Sequence, residues 1–145
     1  MKAKLLLLMA ILVPVFYSCS SDNDPTEDND KDKITISAII KCKSGDSYVP
    51  DVGASLYLFK DFRDYVNYEY QNGTYVNKTT GDIRKYTQKA VANSDGVATM
   101  KVEYGQYSLV VWESAKYPGK YGQNVYLIEK GQQPITISEI YFEQK

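Results

Sequence analysis

The chain has 145 residues, 17 basic and 18 acidic side chains, a net charge of −1 and 43% hydrophobic residues. That length suits one compact domain, and the balance excludes a disordered chain, an integral membrane protein and, with no long basic run, a nucleic-acid surface. No histidine occurs, which removes His-based acid–base catalysis, His-activated nucleophiles and the commonest transition-metal ligand, so no metal and no cofactor is expected. The 14 tyrosines, together with Val, Ile and Thr, favour half-buried pleated surfaces.

Residues 1–18 have the layout of an export signal: basic Lys2 and Lys4, an apolar run from Leu5 to Val13, then Phe16, Tyr17 and Ser18 before Cys19. The apolar run is too short to span a bilayer. A small residue directly before a cysteine resembles the bacterial lipobox, which implies cleavage before Cys19 and lipid attachment there. The resemblance departs from the usual pattern at Phe16 and Tyr17. An ordinary signal peptide with an incidental cysteine is the alternative, and export follows from either. Residues 19–33 read as an acidic tether: Ser20 to Lys33 contains no apolar residue to set against the cost of ordering the backbone. Fully extended, it reaches about 46 Å. It lacks the central glycine and terminal glutamate of an EF-hand calcium loop. Ser20, Ser21, Asp22, Asn23 and Asp24, following the cysteine, resemble the surface-export signal of outer-membrane lipoproteins. The expected location is therefore the outer membrane, lipid-anchored and surface-exposed, with a periplasm-facing anchor as the alternative. With Cys19 acylated, Cys42 has no disulfide partner and is expected to be buried as a small hydrophobe.

From Ile34 the pattern alternates, with Ile34, Ile36, Ala38, Ile40 and Cys42 on one face of a first strand. Ser44-Gly45-Asp46 turns the chain. After Pro50-Asp51-Val52-Gly53, a second strand places Ala54, Leu56 and Leu58 toward the core, leaving Tyr57 and Phe59 on the other face. Residues 60–85 read as an insertion: Asn72-Gly73 signals a peripheral hairpin, with a short helix across Asp61 to Tyr70 as the alternative. Tyr86 to Ala92 forms the next strand, and Ser94-Asp95-Gly96 turns into Val97 to Glu103, with Ala98, Met100 and Val102 inward. Beyond Tyr104-Gly105, the phase chosen puts Tyr107, Leu109 and Val111 inward, and Ser108, Val110 and Trp112 outward. A loop over Glu113 to Gln123, a strand over Asn124 to Glu129 and a last strand with Ile135, Ile137, Ile140 and Phe142 complete residues 34–145. About seven strands with frequent turn signals predict an all-β, Ig-like antiparallel sandwich.

The order Val49-Pro50-Asp51-Val52-Gly53-Ala54, Ser94 to Met100, then Tyr104 to Val111 resembles the prealbumin-like sandwiches, namely the carboxypeptidase regulatory-like and collagen-adhesin B-type domains. The resemblance implies the fold. Two functional features of such domains are missing: the hydroxyisourate hydrolases of transthyretin type need histidines, and the adhesin isopeptide needs an Asn or Asp in the last strand, where ITISEIYFE has neither. Lys41 or Lys43 with Glu139 or Glu143 then reads as surface charge.

The function expected is non-enzymatic: a binding or structural module attached to the membrane by its N-terminal lipid, with a glycan or protein partner and no nucleic acid. Its candidate surface comprises Tyr65, Tyr68, Tyr70, Tyr75, Trp112, Tyr117 and Tyr121, since flat aromatic faces stack on sugar rings or anchor protein partners. The alternative for these rings is that they cover the sandwich beneath the insertion. Two other functions compete. One is a pilus or assembly accessory subunit adding strands edge to edge; the other is a glycoside hydrolase using Asp61, Asp64 or Glu69, whose spacing does not favour it.

Overall fold

The computed structural model describes residues 32–144. The leader, Cys19 and nearly all of the tether lie outside the described residues. Eleven strands are present among those described: β1 (Lys33–Ser44), β2 (Ser47–Pro50), β3 (Ser55–Lys60), β4 (Tyr68–Gln71), β5 (Thr74–Asn77), β6 (Ile83–Lys85), β7 (Gln88–Val91), β8 (Val97–Glu103), β9 (Gln106–Glu113), β10 (Tyr121–Ile128) and β11 (Ile135–Phe142). Residues 65–67 form only a single 3-10 turn, so the insertion is a hairpin and not a helix.

The first sheet is built on β1. One edge of β1 pairs in parallel with β11; along the other, its first half pairs antiparallel with β8 and its second half with β2. The handover falls at Ile40, whose N–H donates to the Gly96 carbonyl while its own carbonyl accepts from Asp51 N–H. Gly96 sits in the left-handed region at φ +75°, and a Cβ there would lie 2.4 Å from the Ile40 oxygen. Only glycine lets the 94–96 turn approach β1 so closely. The second sheet runs β10-β9-β3-β7, with every pair antiparallel. The β-sandwich expected is the fold observed; residues 129–134 carry the chain from β10 back to the first sheet, so that β11 runs parallel to β1 while the other pairs among the described strands are antiparallel.

Between these sheets lies the main core. Ile34, Ile36, Ala38, Ile40 and Cys42 meet Ala54, Leu56, Leu58, Ala98, Met100, Val102, Val110, Ile128 and Phe142. Each fully buried Ile or Leu contributes about 1.5–3 kcal/mol relative to exposure. The inward faces expected for β1, β3 and β8 are those observed. Along β11 the buried phase passes from Ile137 to Ile140 through a register shift opposite Ala38–Ile40, which keeps Phe142 on the core side.

The phase assigned to β9 is corrected. Val110 and Trp112 lie opposite Leu58 and Leu56 and pack on the main core, whereas Leu109 and Val111 lie opposite Phe59 and Tyr57 on the far side. Directly paired residues share a face. Alternation could not reveal this because β9 is buried on both faces: Ser108, Leu109, Val110 and Val111 are all inaccessible. What covers the far side is a third sheet, β4-β5-β6, making the domain three layers deep.

Candidate functional site

Tyr57 and Phe59 of β3 and Leu109 and Val111 of β9 form an apolar outer face on the second sheet. Phe62, Tyr70 and Tyr75 of the insertion close over it as a second core. The rings meet mostly edge to face, with Phe59–Tyr75 centroids 5.0 Å apart, Phe62–Tyr75 5.2 Å and Tyr70–Tyr75 5.2 Å, arrangements the aromatic quadrupole favours. The Asn72-Gly73 turn has φ of 47° and 82°, consistent with a type I′ hairpin. Its glycine lies against Tyr57, where a Cβ would be 3.0 Å from the ring. Backbone chemistry and aromatic packing therefore meet at one residue.

The buried phenols retain partners. Tyr70 Oη donates to Glu113 Oε2 at 2.8 Å, and Tyr75 Oη donates to Gln123 Oε1. Burial pushes both phenols well above the usual tyrosine range; the Glu113 carboxylate adds to the shift at Tyr70, and Tyr121 and Tyr65 add to that at Tyr75.

Of the seven aromatic residues expected to form a binding patch, five converge here. Tyr70 is 8% and Tyr75 1% exposed, so these two hold the insertion in place instead of presenting a surface. Tyr65 and Tyr68 are half-buried against the same cluster, and Tyr121 is 42% exposed with its ring 4.3 Å from Tyr70. Tyr86 joins the rim, 5.2 Å from Tyr57 and also 42% exposed.

Trp112 and Tyr117 belong elsewhere, because both pack on the main core. The Trp112 indole lies over Gly122, its partner on β10, where a Cβ would come within 2.3 Å of Nε1. Tyr117 Oη donates to the Lys43 carbonyl at 2.7 Å. It belongs to a latch in which buried Asp51 accepts from Ser114 Oγ at 2.5 Å and Lys116 N–H at 3.2 Å. That latch ties the 113–120 loop to the end of the first sheet, and its buried carboxylate was not anticipated from sequence. Lys43 and Glu143 form an exposed pair at 3.3 Å.

Beside the second core, Asp61, Phe62, Arg63, Asp64, Tyr68 and Arg84 line a groove of about 410 Å³. Asp61 and Asp64 are thus brought together, but both are open to water; Glu69 is also exposed. A general acid in glycoside hydrolysis needs a less polar setting to stay protonated. Arg63 and Arg84 carried no signal in the sequence, since a lone arginine in a polar stretch looks like any solvated charge. Among the described residues, no group of three or more His, Cys, Asp or Glu side chains is placed to hold a metal ion.

No protein-family model and no curated protein sequence matches the chain. Solved structures give three distant likenesses. One is to the minor pilin of the gram-positive pathogen Streptococcus agalactiae, at 18% identity and TM-score 0.44, over 79% of this chain and 45% of that one. A second is to the Bacillus anthracis TIE protein, at 14% identity and TM-score 0.39, over 76% of this chain and 17% of that one. The third is to the dioxygenase domain of a dioxygenase carbohydrate-binding protein fusion from Streptomyces sp. SirexAA-E, at 12% identity and TM-score 0.35, over 70% and 60%. The chain spans less than half the length of the first two, and none of the three bears on the side chains described above.

Proposed function

We propose that this chain is a non-enzymatic module of the bacterial cell surface, anchored in the outer membrane by lipid on Cys19 and held off it by the acidic tether. In this reading it binds a glycan or protein partner through the aromatic rim of its third sheet. The observation that carries the proposal is the second core. Its buried rings fix Tyr65, Tyr68, Tyr86 and Tyr121 at its edge, so contact area is available with little further loss of side-chain freedom on binding. The absence of histidine and the solvent exposure of Asp61 and Asp64 support a binding role over a hydrolytic one.

Glycan-array and pull-down measurements on Tyr68→Ala and Tyr121→Ala test the rim: a ligand lost in either supports it, and binding unchanged in both eliminates it. Trp112→Ala is not a clean probe, because it also removes packing from the main core. For the anchor, Cys19→Ser is expected to move the protein from the membrane fraction to the soluble fraction. A variant that stays membrane-bound would remove lipidation from the proposal.

A second reading, strand addition, is favoured by β11. It ends its sheet, pairs among the described residues only with β1, and presents Thr136 and Ser138 to solvent with no lysine or proline within the strand, two devices that usually protect an edge. Deleting residues 135–145 would not test it, since Ile135, Ile137, Ile140 and Phe142 pack on the core. Lysine at Thr136 and Ser138 would: concentration-dependent association seen by sedimentation should disappear, and an unchanged oligomeric state would end this reading.

A further inference from the structure

Resting on that binding reading, we infer that the groove between residues 61–64 and β6 is a site for a neutral saccharide. Tyr68 supplies the stacking ring, and Asp61, Arg63, Asp64 and Arg84 supply hydrogen-bonding walls. Two acids and two arginines share this groove, yet among the described residues none of the four has a side-chain hydrogen bond or an ion pair. Elsewhere opposite charges do meet, as in Lys60–Glu103 at 2.9 Å and Lys43–Glu143 at 3.3 Å.

The two arginines are held by ring faces and not by the acids beside them. The Arg63 guanidinium lies 3.7 Å from the centroid of the Tyr107 ring, and that of Arg84 lies 5.7 Å from Phe62. A guanidinium held by a ring face keeps its in-plane N–H donors for another acceptor. Asp61 is fixed in the left-handed region at φ 51°, with its N–H donating to the Tyr107 carbonyl at 2.9 Å. Such a conformation at a non-glycine residue costs energy and recurs at ligand-binding turns. Tyr68 stands nearly perpendicular to buried Phe62, at 87° and 4.9 Å, and remains half-exposed.

The ligand class follows from this chemistry. Vicinal hydroxyls can donate to a carboxylate and accept from a guanidinium at once, and the C–H face of a sugar ring stacks on an aromatic ring. Two negative and two positive walls cancel, so a neutral ligand leaves no charge uncompensated, whereas an ionic ligand would face two like charges. At about 410 Å³ the groove falls at the small end of ligand-site volumes.

The test is affinity electrophoresis of the chain without its leader, in native gels cast with dextran, mannan, xylan or β-glucan, and with polygalacturonate as the acidic counterpart. At least one neutral polysaccharide should retard the protein. Arg84→Ala and Asp64→Ala should each weaken that retardation at least about tenfold, as loss of a charge-assisted hydrogen bond predicts, while Tyr48→Ala, on the first sheet away from both the rim and the groove, stays within about twofold. Arg84 and Asp64 are exposed, so unchanged urea midpoints will show that both variants are folded. Retardation lost in Tyr121→Ala but kept in both groove variants would overturn this site and leave the rim reading standing. Retardation by polygalacturonate alone, or by no polysaccharide, would overturn the neutral-saccharide assignment.

Discussion

Raising the pH should loosen the third layer, with a slope that the two buried phenols set. Tyr70 and Tyr75 have folded-state pKa values raised above that of an unfolded tyrosine, chiefly by burial. Their contribution is therefore complete below the unfolded pKa of about 10 and is lost as the pH rises above it, where the unfolded chain sheds protons that the fold retains. Each phenol should cost about 1.4 kcal/mol per pH unit in that window, and both together about 2.7 kcal/mol. By pH 11.5 the loss reaches about 4 kcal/mol, a large share of the roughly 5–15 kcal/mol typical of a domain. Lys60, raised by its hydrogen bond and charge pairing with Glu103, loses its contribution in the same direction; that pair is exposed, and about 0.5 M salt screens it. The assay is the urea midpoint at half-unit steps between about pH 8 and about pH 11.5, followed by fluorescence of Trp112, the one tryptophan. Tyr70→Phe should cost about 1.5 kcal/mol at neutral pH, from its lost bond to Glu113, and should flatten the alkaline slope by half. A Tyr70→Phe/Tyr75→Phe double variant with the original slope would refute the reasoning.

Three further outcomes follow from the packing. Gly96→Ala should destabilise the domain by at least about 2 kcal/mol in urea titration, because its Cβ would press on the Ile40 carbonyl; Gly45→Ala, also at positive φ but with open space around it, should cost about 1 kcal/mol. Ser108→Ala should raise stability by about 1 kcal/mol, since the buried Ser108 hydroxyl has no partner among the described residues; a lower urea midpoint would show that the hydroxyl is satisfied. Cys42 should react with an aromatic disulfide reagent at least about a hundredfold more slowly in the fold than in urea, because burial and, secondarily, Asp51 raise its thiol pKa. Equal rates would place the thiol at the surface.

The strands that alternate cleanly were legible because one face of each meets the core and the other meets water or a polar edge. Ile34 to Cys42 and Ala98 to Val102 are of this kind. Asn72-Gly73 announced its hairpin by turn chemistry alone, as positive φ at two successive residues favours few others. β6 escaped notice because all three residues of Ile83-Arg84-Lys85 are exposed, so no periodicity marks it. The site was harder to read than the fold: Tyr70 and Tyr75 have the same composition signal as Tyr65 and Tyr68, and only cross-strand register separates packing rings from rim rings.

Sequence by itself determined the β class, the core face of β1, β3 and β8, the burial of Cys42 and the exclusion of histidine chemistry, because each depends on residue type or on alternation within one segment. Tertiary structure alone decided the faces of β9, the inward place of Trp112, the parallel docking of β11 and the meeting of Asp61, Asp64, Arg63 and Arg84 in one groove. A strand buried on both sides has no polar face to report its orientation, and side chains up to 23 positions apart converge only once the third sheet has closed on the second.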